Sequence, residues 1–243
     1  MSSLPRKALI AITSYNEVFY SDGARTGLFY TEALHPYMAL VKAGFEVDLA
    51  SETGTFGLDD HSTQKMFLTD EDEQILKNPN HPFNVKLNKE LKRASDVQQH
   101  SKDYGLFFAS AGHATLYDYP TARGLQAIAQ DIYGRGGVVS AVCHGPAILP
   151  GIKDPLTGKS VVENKVVTGF TDLGEVQMKV MDKLRSDKLN TVEKWMELSH
   201  AKYIAPPEPF NCFSKIDGRI VTGANPASAK LTAENAIKVF DCQ

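Results

Sequence analysis

The sequence predicts an α/β fold, a parallel sheet with helices on both faces and a small inserted cap, and three observations carry that expectation. Short apolar runs alternate along the chain with stretches of helical period. The runs are nearly continuous in Val, Ile, Ala and Phe, as strands buried on both sides are. At about 52–103 the alternation breaks into a stretch rich in Asp, Glu, Lys and Asn. That is too long for a structureless connection in a compact domain, so short helices resting near the strand ends are expected there.

In chain order, strands are expected at 7–13 (KALIAIT), 45–50 (FEVDLA), 104–109 (YGLFFA), 137–142 (GVVSAV) and 166–168. Helices are expected between them at 31–43, 121–134 and 144–150. In the first, Leu34, Met38 and Val41 form one stripe, although Pro36 should kink or restart the helix. In the second, Leu125, Ile128 and Ile132 line one face, and Gly134 or Gly136 ends it. Helices at 172–185, 190–200 and 226–240 complete the chain, with a strand pair at 212–216 and 219–222 turning on Asp217-Gly218.

Composition narrows the function classes. A chain of 243 residues, 42% hydrophobic, can bury a full core. A formal charge of −3 offers no basic footprint for nucleic acid or an anionic membrane. No apolar run approaches the ~20 residues that span a bilayer. The opening MSSLPRKALIAIT places basic residues before an apolar run, but that run is too short for a signal peptide and reads as the first strand. The three cysteines, Cys143, Cys212 and Cys242, are odd in number and lack CxxC spacing, which points away from a disulfide framework and toward a reducing cytosol.

One stretch stands apart, GGVVSAVCHGPAIL at 136–149. A buried strand ends in Cys143 and His144, and a helix is expected to start at once. A nucleophile on such a corner needs small neighbours two residues away on each side, and here they are Ala141 and Gly145, after the logic of the GxSxG elbow. The helix N-terminus should favour thiolate, and the His144 amide becomes available to an oxyanion. On geometry alone a buried structural cysteine explains Cys143 equally well. Read singly, Glu32 is a helix-start charge and Glu175 a first-turn capping residue, while a structural histidine is the lesser alternative for His144. His35, His61, His113 and His200 show no metal-ligand spacing, so no metal is expected. The glycines of GRGG (134–137) are too close together for a dinucleotide fingerprint.

Six segments carry a resemblance: TSYNEVFYSDGARTGLFYTEALHP (13–36), SETGTFGLDDHS (51–62), FFASAGHATLYDYP (107–120), VVSAVCHGPAI (138–148), VVTGFTDLGE (166–175) and DGRIVTGANPASA (217–229). In this order they resemble the fungal glutathione-independent glyoxalase III group, heat-shock members of the ThiJ/PfpI superfamily. The resemblance implies a flavodoxin-like core, a single class I glutamine amidotransferase-like domain over 1–243 with its cap at about 52–103. It implies a cofactor-free homodimer, a lyase of the D-lactate dehydratase type that converts methylglyoxal to D-lactate. It further implies a stress-related chaperone role toward unfolded proteins, in the cytoplasm and also the nucleus. Cys143 matches the family nucleophile, His144 its triad neighbour, and Glu175 the acid that orients the histidine. Glu32 matches the carboxylate beside the cysteine, and the amides of Gly112 and His144 match the oxyanion donors. Ala114 stands where the family has glycine, which should shift the loop beside the oxyanion site, and Phe210 replaces a family tryptophan.

The chemistry of a 2-oxoaldehyde agrees with these residue types. A soft nucleophile adds to the aldehyde, the hemithioacetal C–H is acidified by the adjacent ketone, and a carboxylate beside the sulfur can move protons. Two other classes stay open. A cysteine peptidase or amidase fits the superfamily, but Cys and His adjacent at a tight corner should diverge, which counts against the histidine as base. A holding chaperone would use surface alone, with no catalysis.

Overall fold

The computed structural model describes residues 4–243, so residues 1–3 of the domain expected over 1–243 lie outside it. The chain opens with strand β1 (Lys7–Ile12), helix α1 (Tyr30–Lys42) and strand β2 (Glu46–Ser51). Residues 52–103 then hold three 3-10 turns, helices α2 (Asp70–Leu76), α3 (Pro82–Asn88) and α4 (Ala94–Gln98), and a two-residue strand β3 (Lys92–Arg93). Next come β4 (Leu106–Ala109), α5 (Thr115–Asp118), α6 (Arg123–Gly134) and β5 (Val138–Val142). The last part contains β6 (Val166–Val167), α7 (Asp172–Gln177), α8 (Met181–Ser186), α9 (Val192–Leu198) and β7 (Lys202–Tyr203). It ends with β8 (Ser214–Asp217), β9 (Ile220–Gly223) and α10 (Ala229–Asp241).

Seven strands form one sheet in the order β3-β2-β1-β4-β5-β9-β8, parallel throughout except for the β8–β9 hairpin. The middle five follow the flavodoxin-like order, whose direction reverses between β1 and β4; ligands gather beyond the carboxyl ends at such a point. Both faces are covered. Leu9 and Ala11 of β1 join Phe107, Leu125, Ile128 and Ile132 on the α6 side, while Ala8, Ile10 and Ile12 join Leu34, Leu40, Ala233 and Ala236 on the side of α1 and α10. That strict alternation explains why the strands read as unbroken apolar runs. The expected α6 stripe is the buried one, and the Glu52 carboxylate accepts from the Gly124 and Leu125 amides to cap the helix.

Several expectations are corrected in detail. Helix α1 runs through Pro36 unbroken; the bond it forfeits is the one to the carbonyl of Glu32, four residues back. The helix expected at 144–150 is a 3-10 turn over Gly145–Gly151, where Pro150 lacks the amide that an α-helix would bond to the carbonyl of Pro146. The helix expected at 172–185 is two helices, broken where Lys179 takes φ +60°. The strand at 166–168 leaves the main sheet and pairs with β7. The hairpin turns on Gly218-Arg219, one residue later than expected, because Gly218 (φ +60°) supplies the left-handed corner. Of the 52–103 segment, residues 55–63 lie against the β1–α1 loop through the Leu28–Leu58 bridge and Asp59, whereas β3 returns to the sheet edge beside β2. No helix among the described residues is long and apolar enough to cross a membrane.

A buried charge cluster ties the β2 edge together. Asp48 accepts from Tyr104 at 2.8 Å and meets Lys7, Lys86 and Lys92 at 3.1, 3.2 and 3.0 Å. Burial alone would raise this carboxyl, but the hydrogen bonds from Lys92, Tyr104, Lys7 and Lys86 win and hold it well below the usual range. Asp48→Asn is expected to cost on the order of 2 kcal/mol at pH 7, a figure discounted because the lysines are partly exposed. A depressed folded-state pKa gives stability that is present above the unfolded value of about 3.9 and is lost below it. The difference between wild type and variant in thermal melts should therefore shrink as pH falls through about 4; a difference constant from pH 7 to pH 3 would refute the assignment.

Candidate active site

Cys143 lies just beyond the carboxyl end of β5 at φ +57°, a left-handed conformation that a non-glycine residue rarely holds. Its amide donates to the Gly223 carbonyl at 2.9 Å and its carbonyl accepts from Phe170 at 2.9 Å. Pinned on both sides, the corner cannot relax. Gly145 is required next to it, since a β-carbon there would lie 2.7 Å from the Ala109 carbonyl oxygen.

The corner does not send the two side chains apart. His144 Nδ1 lies 3.3 Å from the Cys143 sulfur, and its Nε2 lies 2.8 Å from Glu175 Oε1. Glu175 comes from the first turn of α7, which Thr171 caps by accepting from the Gly174 amide. Glu32 comes from the first turn of α1, fully buried, with both oxygens lacking a well-formed hydrogen bond among the described residues. The group it bears on is the Cys143 sulfur. Thus the structure brings Cys143, His144, Glu175 and Glu32 together from three separate segments.

Gly112 follows β4 at φ +131°, and a β-carbon there would sit 2.0 Å from the Gly27 carbonyl oxygen. Only glycine fits that approach. Among the described residues no acceptor meets its amide, while the His144 amide faces the Cys143 sulfur. Ala114 takes an ordinary helical conformation at φ −52°, and its amide donates to Thr26 Oγ1. Phe210 is half exposed, its ring 6.1 Å from that of Phe170, which in turn lies 4.6 Å from His144.

One residue was missed. His113 Nε2 reaches the other oxygen of Glu175 at 2.9 Å, and its ring centroid is 4.1 Å from that of His144. Sequence spacing weighed His113 only as a metal ligand, and its one signal was its place directly after Gly112. Two imidazoles and a carboxylate could hold a cation. The separations of 2.8 and 2.9 Å are those of direct hydrogen bonds, however, and a metal at ~2.1 Å from each ligand would require breaking both.

The protonation states follow from burial and neighbours. Burial would raise Glu175, but the two histidines outweigh it and hold it at about 2. Burial, reinforced by His113, lowers His144 to about 4. His144 is thus neutral near pH 7, with its hydrogen on Nε2 toward the carboxylate and its Nδ1 lone pair toward the thiol. Burial pushes Glu32 up to about 8. It also pushes the Cys143 thiol well up, with Glu32 adding to the effect. The expected resting thiolate is therefore corrected: a 3-10 turn of seven residues cannot offset desolvation of the sulfur.

Comparisons with known proteins show the family. The Saccharomyces cerevisiae glutathione-independent glyoxalase HSP31 is 53% identical over 233 residues, covering 96% of this chain and 97% of that protein. The chain belongs to the fungal glutathione-independent glyoxalase family. The crystal structure of glyoxalase III from Candida albicans, 53% identical, matches 98% of both chains with a TM-score of 0.94. A ThiJ/PfpI domain protein from Brachyspira murdochii, 14% identical, shares the fold with a TM-score of 0.60 over 99% of both chains. No protein-family model matches the chain. Membership of the glyoxalase family accounts for the recurrence of all six segments in one chain.

A pH-dependent test follows from Glu32. A carboxyl raised to about 8 in the folded state binds its proton more tightly than the unfolded value of about 4.3 allows, so folding stability falls as pH rises between those values. Glu32→Gln escapes that loss. Its melting temperature should gain on wild type from pH 5 to pH 8, by at least ~2 °C, about what 1 kcal/mol shifts a chain of this size. A difference that stays flat over that range would show that Glu32 does not titrate there.

Proposed function

We propose that the protein is a glutathione-independent glyoxalase III, a lyase that converts methylglyoxal to D-lactate on Cys143. The observation that carries this reading is the alignment of Cys143, His144 and Glu175 within hydrogen-bonding distance, with the protonated carboxyl of Glu32 beside the sulfur. The family of relatives supports the reaction class.

His144 Nδ1 takes the thiol proton, and Glu175 balances the imidazolium that results. The sulfur bonds to the aldehyde carbon, and the oxygen it leaves accepts from the amides of Gly112 and His144 before it is protonated. The hemithioacetal C–H then loses its proton to the carboxylate–imidazole pair and the neighbouring carbon gains one. The aldehyde carbon is thereby oxidised to a thioester while the ketone is reduced to an alcohol. Water cleaves the C–S bond, releasing lactate and restoring the thiol. Glu32 and His144 carry the proton transfers, and no outside redox partner is needed.

The same Cys–His–Glu line would serve a peptidase, and the 3.3 Å contact removes the objection that the histidine cannot reach the thiol. Burial argues against it: Cys143 is 4% exposed, which admits a three-carbon substrate far more readily than a polypeptide. A chaperone role toward unfolded proteins and a homodimer rest on the family alone.

Purified protein given methylglyoxal without glutathione should yield D-lactate. Cys143→Ala should abolish it, while Cys212→Ser and Cys242→Ser, both at exposed positions, should stay close to wild type. Glu32→Gln should lower turnover by ~10²-fold or more. Substantial lactate from Cys143→Ala, or release of peptides in place of lactate, would reject the proposal.

A further inference from the structure

Glu175 accepts from two histidines, and the reaction above employs only His144. The second, His113, opens onto a buried chain. Its Nε2 lies 2.9 Å from Glu175 Oε2 and its Nδ1 3.2 Å from the Tyr20 hydroxyl, which lies 2.8 Å from Asp59 Oδ2. All four side chains are buried.

The hydrogens of this chain can be counted. Glu175 is ionised and only accepts, so His113 Nε2 carries a hydrogen. Asp59 accepts through Oδ1 from the amides of His61 and Ser62 and through Oδ2 from Tyr20, as an ionised carboxylate does. The phenol has one hydrogen, and the shorter contact spends it on Asp59. His113 Nδ1 must then bring a hydrogen of its own to the Tyr20 oxygen. A neutral His113 would leave one buried polar atom without a partner, and two buried carboxylates without a cation between them.

We infer that His113 is a buried imidazolium, a positioning residue that holds Glu175 by its second oxygen and keeps His144 a neutral base facing Cys143. A positive ring 4.1 Å away opposes a second proton on His144, in line with the low value of about 4 for that group. The groups that face His113 are Glu175 from α7, His144 from the corner after β5, and Tyr20 from the β1–α1 loop with Asp59 behind it. Phe19 and Phe170 add uncharged rings, at 5.0 and 6.0 Å. The His61 ring lies tilted against Tyr20, with centroids 4.1 Å apart, and is paired with Asp22 at 2.8 Å. Through Asp59 the 52–103 segment thus bears on the protonation of the corner.

This inference rests on His144 serving the glyoxalase reaction, so one arm of the test is independent of activity. In wild type with ¹⁵N-labelled histidine, NMR at pH 7 should show a buried histidine with both ring nitrogens protonated, and that signal should vanish in His113→Gln. A His113 with a single protonated ring nitrogen at pH 6 would overturn the inference. The kinetic arm uses the same variant, because glutamine keeps a donor toward Glu175 and loses the charge. The acid limb of kcat/KM should move up by about one pH unit or more. Tyr20→Phe, which removes the acceptor of the second hydrogen, should move it the same way by less and serves if His113→Gln fails to fold. An unmoved acid limb would overturn the positioning role. Loss of the glyoxalase reading itself, with wild type inactive on methylglyoxal but the doubly protonated signal present, would leave the charge standing and remove its catalytic meaning.

Discussion

The left-handed backbone at Cys143 is the constraint on which the rest of the site depends. An L residue held there costs roughly 1–2 kcal/mol, and the strain persists because the Gly223 carbonyl and the Phe170 amide grip the residue from both sides. The corner turns the chain away from the sheet just past its carboxyl edge. It leaves the sulfur facing the first turn of α1, where Glu32 waits, and brings the next residue's imidazole back against the sulfur. Gly145 and Gly112 then follow as requirements, each admitting a carbonyl where a β-carbon would collide.

Around that corner, burial and pairing drive titratable groups apart. Glu175, between two imidazoles, is held at about 2, His144 at about 4 and Glu32 at about 8, while the thiol is pushed well up. Two carboxyl groups in one pocket thereby take opposite states at neutral pH, one an acceptor and the other a donor. The sulfur rests as a thiol and becomes a nucleophile by handing its proton to His144, a design that suits a closed site better than a standing thiolate would.

The sheet forms a scaffold for converging loops. Glu32 arrives after β1, Gly112 and His113 after β4, Cys143 and His144 after β5, and Glu175 after β6. The strand order reverses between β1 and β4, the point beyond whose carboxyl ends ligands gather in sheets of this kind. Residues 55–63 lie against the β1–α1 loop, and Asp59 adds its charge from that side, raising Glu32.

Local pattern was enough to reveal the parallel sheet, the α6 stripe and the Cys143 corner. Buried strands must be apolar on both faces and a sharp corner must have small neighbours, and both demands are written in consecutive residues. The resemblance of six segments then named Glu32, Glu175 and Gly112 for roles that none of them displays singly. Other features depended on distance through space. Lys179 breaks a helix that its propensity would continue, and Pro36 passes through one that it should interrupt, since packing outweighs such preferences. His113 escaped notice because its partners, Glu175 and Tyr20, are remote in sequence, and only the folded chain sets them within a hydrogen bond. The protonation states were equally illegible: a pKa is set by how much water is excluded and which charges lie near, and neither quantity exists until the chain has closed around the site.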